Sequence, residues 1–574
     1  MIDENNAPAG DARQANLSAV ELQLSLEFDR PDAANRQAHG DGAGAAGADR
    51  DINDIRFGSW SMPGNLMQML QLQGQPSGEL FHSFINTALH MAVDEDTIIK
   101  ACLDHEPPYG GSIARYVREN GGEDYVKRVI ASAANAPLVR TEKKLIRITG
   151  GHADDYWRTV ETALRERKCP VFVRNKRLVQ PLWRWHKDDG RNVLSIELEP
   201  YNLEQLTDMV QHHAVQFQKF DRRMRSWCDI DPPEKIMKRG LDIHHYELPE
   251  IIGVITSPTM RPDLSLLTEP GYDAATQVWL KPSDDVQLPP IPERPTRDDA
   301  KKALALLNDL LDGFPFDGET KEKRTSVARS AALAAIITAT ARGALTKAVP
   351  LFIVTAPKAR TGKTYLINLI ALLATGHVPV SIAGAEKKEE FEKRVETAAL
   401  AGRPILHLNN LPNGMVVESD RLSELATEGI VKIRKLGRHE EGQCDCRATT
   451  AFLNGNNILV SSDLVARTIH CRINAQKENP GERTFALPLP DQRVRANRGI
   501  YLGAVFTIIR AFFAAGAPQQ DKRQHMAGFE QWEQWVQQPL IWLGMDDPWG
   551  AMEEIQSMDP EEEMWQNAMK KSMR

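Results

Sequence analysis

At 574 residues the chain is too long for one hydrophobic core, and two to four domains are expected. Hydrophobic residues make up 42% and charged residues 26%, the balance of an ordinary globular protein. A net charge of −8 excludes a global basic field, so any nucleic-acid site must be local, in a groove or a ring pore. Six cysteines at this length exclude a disulfide framework and fit a reducing cytosol. Cys444 and Cys446 form one C-x-C with no second pair at zinc-finger spacing, so two reduced thiols are the simpler reading and a metal pair the alternative.

In chain order, residues 1–55 are rich in Ala, Gly, Asp and Asn and are expected to be a disordered tail. The acidic, polar start is not a signal peptide. Residues 79–135 carry apolar residues at helical spacing and read as a small helical module. Residues 150–280 turn to mixed α/β character. DDYWRTVETALRER predicts an amphipathic helix, and CPVFVRNKRLVQPLWRW predicts a hairpin turning at Asn175 and Lys176. The Pro-rich stretch KPSDDVQLPPIPERPT marks a boundary. From 298 to 475 strand and helix signals alternate, as in a parallel α/β sheet. Thr364 to Ala385 holds no charged residue, but Gly376, His377 and Pro379 interrupt it, so a buried helix and strand are expected rather than a membrane span. Residues 476–550 are helical and 551–574 form a charged tail.

The strongest chemical signal is TAPKARTGKTYLI. The apolar run AVPLFIVTAP precedes it and an apolar helix pattern follows, the setting a phosphate loop requires. Pro357, Lys358, Ala359, Arg360, Thr361, Gly362, Lys363 and Thr364 would wrap the phosphates of ATP with backbone N–H groups at a helix start. Lys363 would neutralise β/γ charge and Thr364 would ligate Mg²⁺. Pro357 stands where the first Gly of such a loop is expected. A second strand, ILHLNN, is expected to end in a metal-organising acid, but it ends in Asn409 and Asn410. Asn409 can ligate through its amide oxygen without supplying charge; either hydrolysis is weakened or Glu418 or Asp420 substitutes. A third strand, TTAFL, leads to Asn454-Gly455-Asn456-Asn457, where Asn456 or Asn457 would orient water, or where an Asn-Gly turn simply joins strands. Arg467, or its rival Arg434, is a candidate arginine finger acting on a neighbouring subunit's nucleotide.

The ordered run APKARTGKTYL, EEFEKRV, ILHLNN, KIRKLGR, FLNGNN, DLVART, PGERTF, RGIYLGAVFTIIRAF and FEQWEQWVQQPLIWLGMDDP resembles the helicase-type ATPase of primase-helicase proteins carried by phages, prophages and integrative elements. Upstream, DPPEKIMKRG and LPEIIGVITSPTMRPDLSLLTEPGYDAAT resemble the region preceding that ATPase. The resemblance implies an AAA-plus-like α/β fold akin to viral superfamily-three helicases, preceded by a mixed α/β domain and a helical module and followed by a helical region. It also implies ATP, Mg²⁺, single-stranded DNA in the pore of a homo-oligomeric ring, possible hexamer assembly, and DNA replication of a mobile element. Three positions depart from it: Asn409 where relatives carry Asp, Arg360 where they often carry Gly, and Ala466 where a second Arg is common. No primase catalytic domain is expected before residue 150, so primer synthesis would fall to a separate primase. A nucleotide-dependent loading protein with weakened hydrolysis is the alternative. VFVRNKRLVQPLWRWHK and FDRRMRSW interleave basic and aromatic residues, which suits either single-strand binding or a solvated hairpin.

Overall fold

In the computed structural model two sheet-and-helix assemblies follow one another along the chain. The structure describes residues 143–550 except 189–190, 244, 282–285, 321–322, 385–386, 435–440, 477–487 and 522–524, together with positions 85, 98–99, 102–103, 117, 123 and 126–127. The expected tails at 1–55 and 551–574, most of the 79–135 module and the PGERTF segment lie outside the described residues.

The first assembly begins with β1 (Lys144–Ile148), crosses through α1 (Ala153–Glu166) and returns, after a β-ribbon and α2 (Leu203–Met209), as β5 (Val215–Asp221), which pairs parallel with β1. β6 (Ser226–Ile230) pairs antiparallel on the far side of β5. One face of this three-stranded sheet is buried. Ile146 and Phe217 pack against Trp157, Val160 and Leu164 of α1 and Ile236 and Met237 of α3 (Glu234–Asp242). Asn202 starts α2 by accepting from the Gln205 N–H while Gln205 returns the bond, a reciprocal cap typically worth about 1 kcal/mol.

The intervening ribbon is β2 (Phe172–Arg174), β3 (Arg177–Asp188) and β4 (Arg191–Pro200). Asn175 and Lys176 take positive φ values of 49° and 57°, the two-residue turn whose twist matches the flanking strands. Arg174 is buried and donates to the backbone oxygens of Ile252 and Ala399, at 2.5 and 2.8 Å, tying the ribbon to the second assembly.

That second assembly is a five-stranded, wholly parallel sheet of β7 (Leu351–Ala356), β8 (Ser381–Ala383), β9 (Ile405–Leu411), β10 (Thr450–Asn456) and β11 (Thr468–Arg472), in the spatial order β8-β9-β10-β7-β11. All six residues of β7 are buried, as a strand covered on both faces requires. Phe352 and Val354 face one core, with α5 (Val327–Thr340), α6 (Lys363–Thr375) and α9 (Pro490–Ala514); Leu351 and Ile353 face the other, with α7 (Lys388–Leu400) and α8 (Asp420–Glu428). Thr296 caps α4 (Arg297–Leu310) through a reciprocal box with Asp299, and Ser326 caps α5. Trp532, Trp535 and Trp542 are buried in the first core, with Trp532 Nε1 donating to Thr338 Oγ1 at 2.8 Å. Among the described residues no helix is long and apolar enough to cross a membrane.

Candidate phosphate-binding site

The order of the five strands puts the reversal of winding at the carboxyl ends of β7 and β10. The chain leaves β7 for the far edge at β8, returns through β9 and β10, and passes over β7 to β11. Ligands of open parallel sheets settle where the winding reverses in this way. The loop Pro357–Gly362 fills this place, between β7 and α6. Residues 357–360 are exposed, Thr361 is buried and donates to the Lys358 oxygen at 3.1 Å, and Arg360 sits at φ 60°. Gly362 caps α6 at φ 106°, a conformation an L side chain rarely adopts, so the glycine is required there. The N–H groups of the first turn of α6 point towards the loop with the positive end of the helix dipole.

Four side chains on the neighbouring strands form a polar ladder facing that first turn. Within β9, His407 and Asn409 are two residues apart; within β10, Asn454 and Asn456 are two residues apart, so each pair faces one side of the sheet. Lys363 Nζ donates to Asn456 Oδ1 at 2.6 Å. Thr364 Oγ1 donates to Asn409 Oδ1 at 3.1 Å and accepts from Asn454 Nδ2 at 3.0 Å. Asn454 Oδ1 therefore faces His407 Nε2, at 2.9 Å, which makes Nε2 the protonated ring nitrogen. His407 is buried, and burial pushes its pKa down to about 4, so the ring is neutral.

A β-bulge aims Asn409. The β9–β10 register advances from Leu408↔Leu453 to Leu411↔Gly455, leaving one extra residue on β9. Asn410 absorbs it at φ 54° and is exposed, while Asn409 turns inward to Thr364.

Lys363 is the electrostatic centre of the site. Its residue is only 9% exposed, and burial lowers its pKa. Among the described residues no carboxylate pairs with it; its partner is a neutral amide. A buried cation held by neutral groups favours an anion close by.

The remaining sequence candidates lie elsewhere. Asn457 turns away, its Nδ2 donating to Asn413 Oδ1 at 3.1 Å. Glu418 and Asp420 are exposed and pair with Lys388, at 2.7 and 3.5 Å. Arg467 precedes β11 at the opposite end of the sheet, where its oxygen accepts from the Leu351 N–H. The six residues of β7 put it about 20 Å from the loop of its own chain. Its guanidinium donates to Thr427 Oγ1 and Asp463 Oδ1, both at 2.7 Å. Arg434 ends a two-stranded ribbon, and its side chain lies outside the described residues. Cys444 and Cys446 are buried free thiols near the Ala399 oxygen, and no metal-holding cluster occurs among the described residues. Of the basic-aromatic hairpin, Arg174 is buried on backbone oxygens, Arg184 pairs with Glu199, and Trp183 packs edge-on against His377.

No family model matches the chain, and no curated protein matches it. Among solved structures it is similar to the A-form apo C-terminal region of NrS-1, at 16% identity over 56% of this chain and 65% of that chain, with a TM-score of 0.28. It therefore spans less than two thirds of that chain's length. It is also similar to JCV helicase, at 14% identity over 46% of this chain and 74% of that chain, TM-score 0.20. A third likeness is to SCCmec type IV Cch, described as an active helicase, at 11% identity over 67% of this chain and 76% of that chain, TM-score 0.25.

Proposed function

We propose that this chain is an ATP-dependent, helicase-type motor of AAA-plus-like fold, acting on single-stranded DNA in the replication of a phage or integrative element. The observation that carries the reading is Lys363: a buried, acid-free lysine at the start of α6, on the carboxyl side of a parallel sheet, beside Thr364. The ordered motifs in the sequence add the helicase-type resemblance. Residues 298–475 would be the motor core, 150–280 an accessory domain and 476–550 a helical C-terminal subdomain.

The residues present fit a nucleoside triphosphate. The backbone of 357–362 would hold its phosphates, and Lys363 would face them as the counter-charge. Bound ATP and Mg²⁺ would supply the transferable phosphoryl group and the charge that balances it. Thr364 and Asn409 would ligate the metal through neutral oxygens, so the phosphates would provide the anionic share of its coordination. Asn456 would orient water. Arg467, about a strand length from its own loop, would act only on a neighbouring subunit, which requires a ring of copies, such as a hexamer. A separate primase would supply primers, in the reducing cytosol.

The test is nucleotide turnover with and without single-stranded DNA. Stimulation by DNA that disappears in Lys363→Ala supports the motor; turnover indifferent to DNA overturns it. The second reading is a nucleotide-dependent loading protein with weakened hydrolysis. What favours it is that, among the described residues, no carboxylate joins the Asn409–Thr364–Asn454 cluster. Asn409→Asp separates the two. A rise of about a hundredfold or more, the usual scale of a positioned acid-base group, favours the loader. An unchanged, already fast wild type excludes it.

A further inference from the structure

Among the described residues, no helix covers one face of the sheet in the first assembly. On β1, β5 and β6 the residues opposite the buried face are Leu145 and Arg147, Gln216, Gln218 and Phe220, and Trp227 and Asp229, and they stand in register as Leu145↔Gln216, Arg147↔Gln218↔Asp229 and Phe220↔Trp227. Seven large hydrophobic residues are exposed among the described residues, and three of them, Leu145, Phe220 and Met224, belong to this sheet and its turn. Phe220 and Trp227 meet edge to face, ring centroids 5.5 Å apart, and the Arg147 guanidinium lies 4.9 Å over the Trp227 ring. The two rings therefore form a small aromatic platform with a cation already stacked on one side.

The turn joining β5 to β6 supplies charge. Arg222, Arg223 and Arg225 are exposed, and among the described residues no carboxylate pairs with them. Asp221, the nearest acid in sequence, is occupied: its Oδ1 accepts from the backbone N–H groups of Arg223 and Met224, at 2.6 and 3.0 Å. It fixes the turn, and its single charge leaves the three-arginine turn net positive. At the other end of the face Asp229 accepts from Gln218 Nε2 at 2.9 Å. The face is thus apolar and aromatic at one end, with three unpaired arginines beside the rings, on a chain whose net charge is −8.

We propose that this face binds single-stranded nucleic acid, with bases stacking on Phe220 and Trp227 and phosphates held by Arg222, Arg223 and Arg225. Every base has a face that stacks on an aromatic ring, and arginines neutralise the backbone between stacked bases. A duplex hides its base faces, so the site selects single strands. The site is separate from the loop at Lys363 and needs no nucleotide. It therefore stands or falls independently of the motor reading.

The experiment is titration of the full chain, without nucleotide, into fluorescein-labelled oligothymidylate, read by fluorescence anisotropy at several salt concentrations. The charge variant is Arg222→Gln, Arg223→Gln and Arg225→Asn together; Asn suits position 225, where φ is 51°. It should bind at least tenfold more weakly. Its plot of log affinity against log salt should be shallower by about 2, at about 0.7 for each phosphate no longer neutralised. Phe220→Leu keeps the apolar bulk but removes the stacking face, and should weaken binding about fivefold or more. Nucleotide binding at the Lys363 loop and the melting curve serve as fold controls and should match wild type. The proposal is overturned if the charge variant binds as wild type does, if a duplex of equal length binds as tightly as the single strand, or if Phe220→Leu is silent. The last result would mean that charge alone holds the strand, without stacking.

Discussion

His407 offers a quantitative test of the polar ladder. Its ring is buried and neutral, with its pKa lowered from 6.5 to about 4. Nε2 donates to Asn454, and Nδ1 has no hydrogen-bond partner. In the unfolded chain the same imidazole takes up a proton near pH 6.5. Between pH 6.5 and pH 4 the unfolded state therefore binds more protons than the folded state, and stability falls as pH falls. The contribution is complete above pH 6.5 and is lost as pH drops through that window. A gap of about 2.5 units corresponds to roughly 3.4 kcal/mol once both states are protonated, and to about 2 kcal/mol already at pH 5. His407→Gln retains an N–H donor for Asn454 but cannot titrate. Urea unfolding of wild type and variant at pH 7 and pH 5 isolates this residue, because every other titrating group is common to both proteins. The variant should lose about 2 kcal/mol less than wild type on going to pH 5. Equal losses would mean that the imidazole titrates normally and is not buried at the foot of the ladder, since burial is what lowers its pKa.

Three further outcomes follow from the packing. Gly376→Ala drives a Cβ into the buried Arg498 guanidinium at a φ of 82°, so it should cost roughly 3 kcal/mol through backbone strain and displacement of that group, seen as a lowered melting temperature. Asn410→Gly should be neutral, whereas Asn410→Val, β-branched at φ 54°, should cost about 1–2 kcal/mol and weaken nucleotide binding by shifting Asn409; calorimetry and a binding titration read both effects. Arg174→Met strands the oxygens of Ile252 and Ala399 and should speed limited proteolysis between the ribbon and the parallel sheet, with little change in nucleotide affinity.

The loop and its two flanking elements were legible because the pattern is local: an apolar run of strand length, a G-K-T triplet and an apolar helix, all contiguous. The hairpin at Asn175 and Lys176 was legible for the same reason. The site's far side was less so. Asn454 and His407 bear on Thr364 only because β10 lies next to β7 and β9 next to β10, a fact of strand order that no short window contains. One signal was present: polar residues two apart in otherwise apolar strands, His407 with Asn409 and Asn454 with Asn456, share a face. The choice between Asn456 and Asn457 needed the geometry, since one residue's difference in a strand reverses the side. Arg174 reads as a surface cation in a basic hairpin. Its burial depends on Ala399, 225 residues away in sequence, which composition cannot reveal.

Among the described residues Lys363 has a neutral amide and no carboxylate as its partner, and this has a consequence for anyone handling the protein. A site short of negative charge responds to whatever anions the solution offers, and phosphate or sulfate resembles the group the loop is proposed to meet. An anion present at ten times its dissociation constant adds about 1.4 kcal/mol to the folded state. The chain should therefore melt higher in phosphate than in a buffer of bulky organic ions at equal ionic strength, and Lys363→Ala should erase that difference. Buffer composition thus becomes a ligand concentration, and a melting temperature for this molecule is defined only once its anions are named.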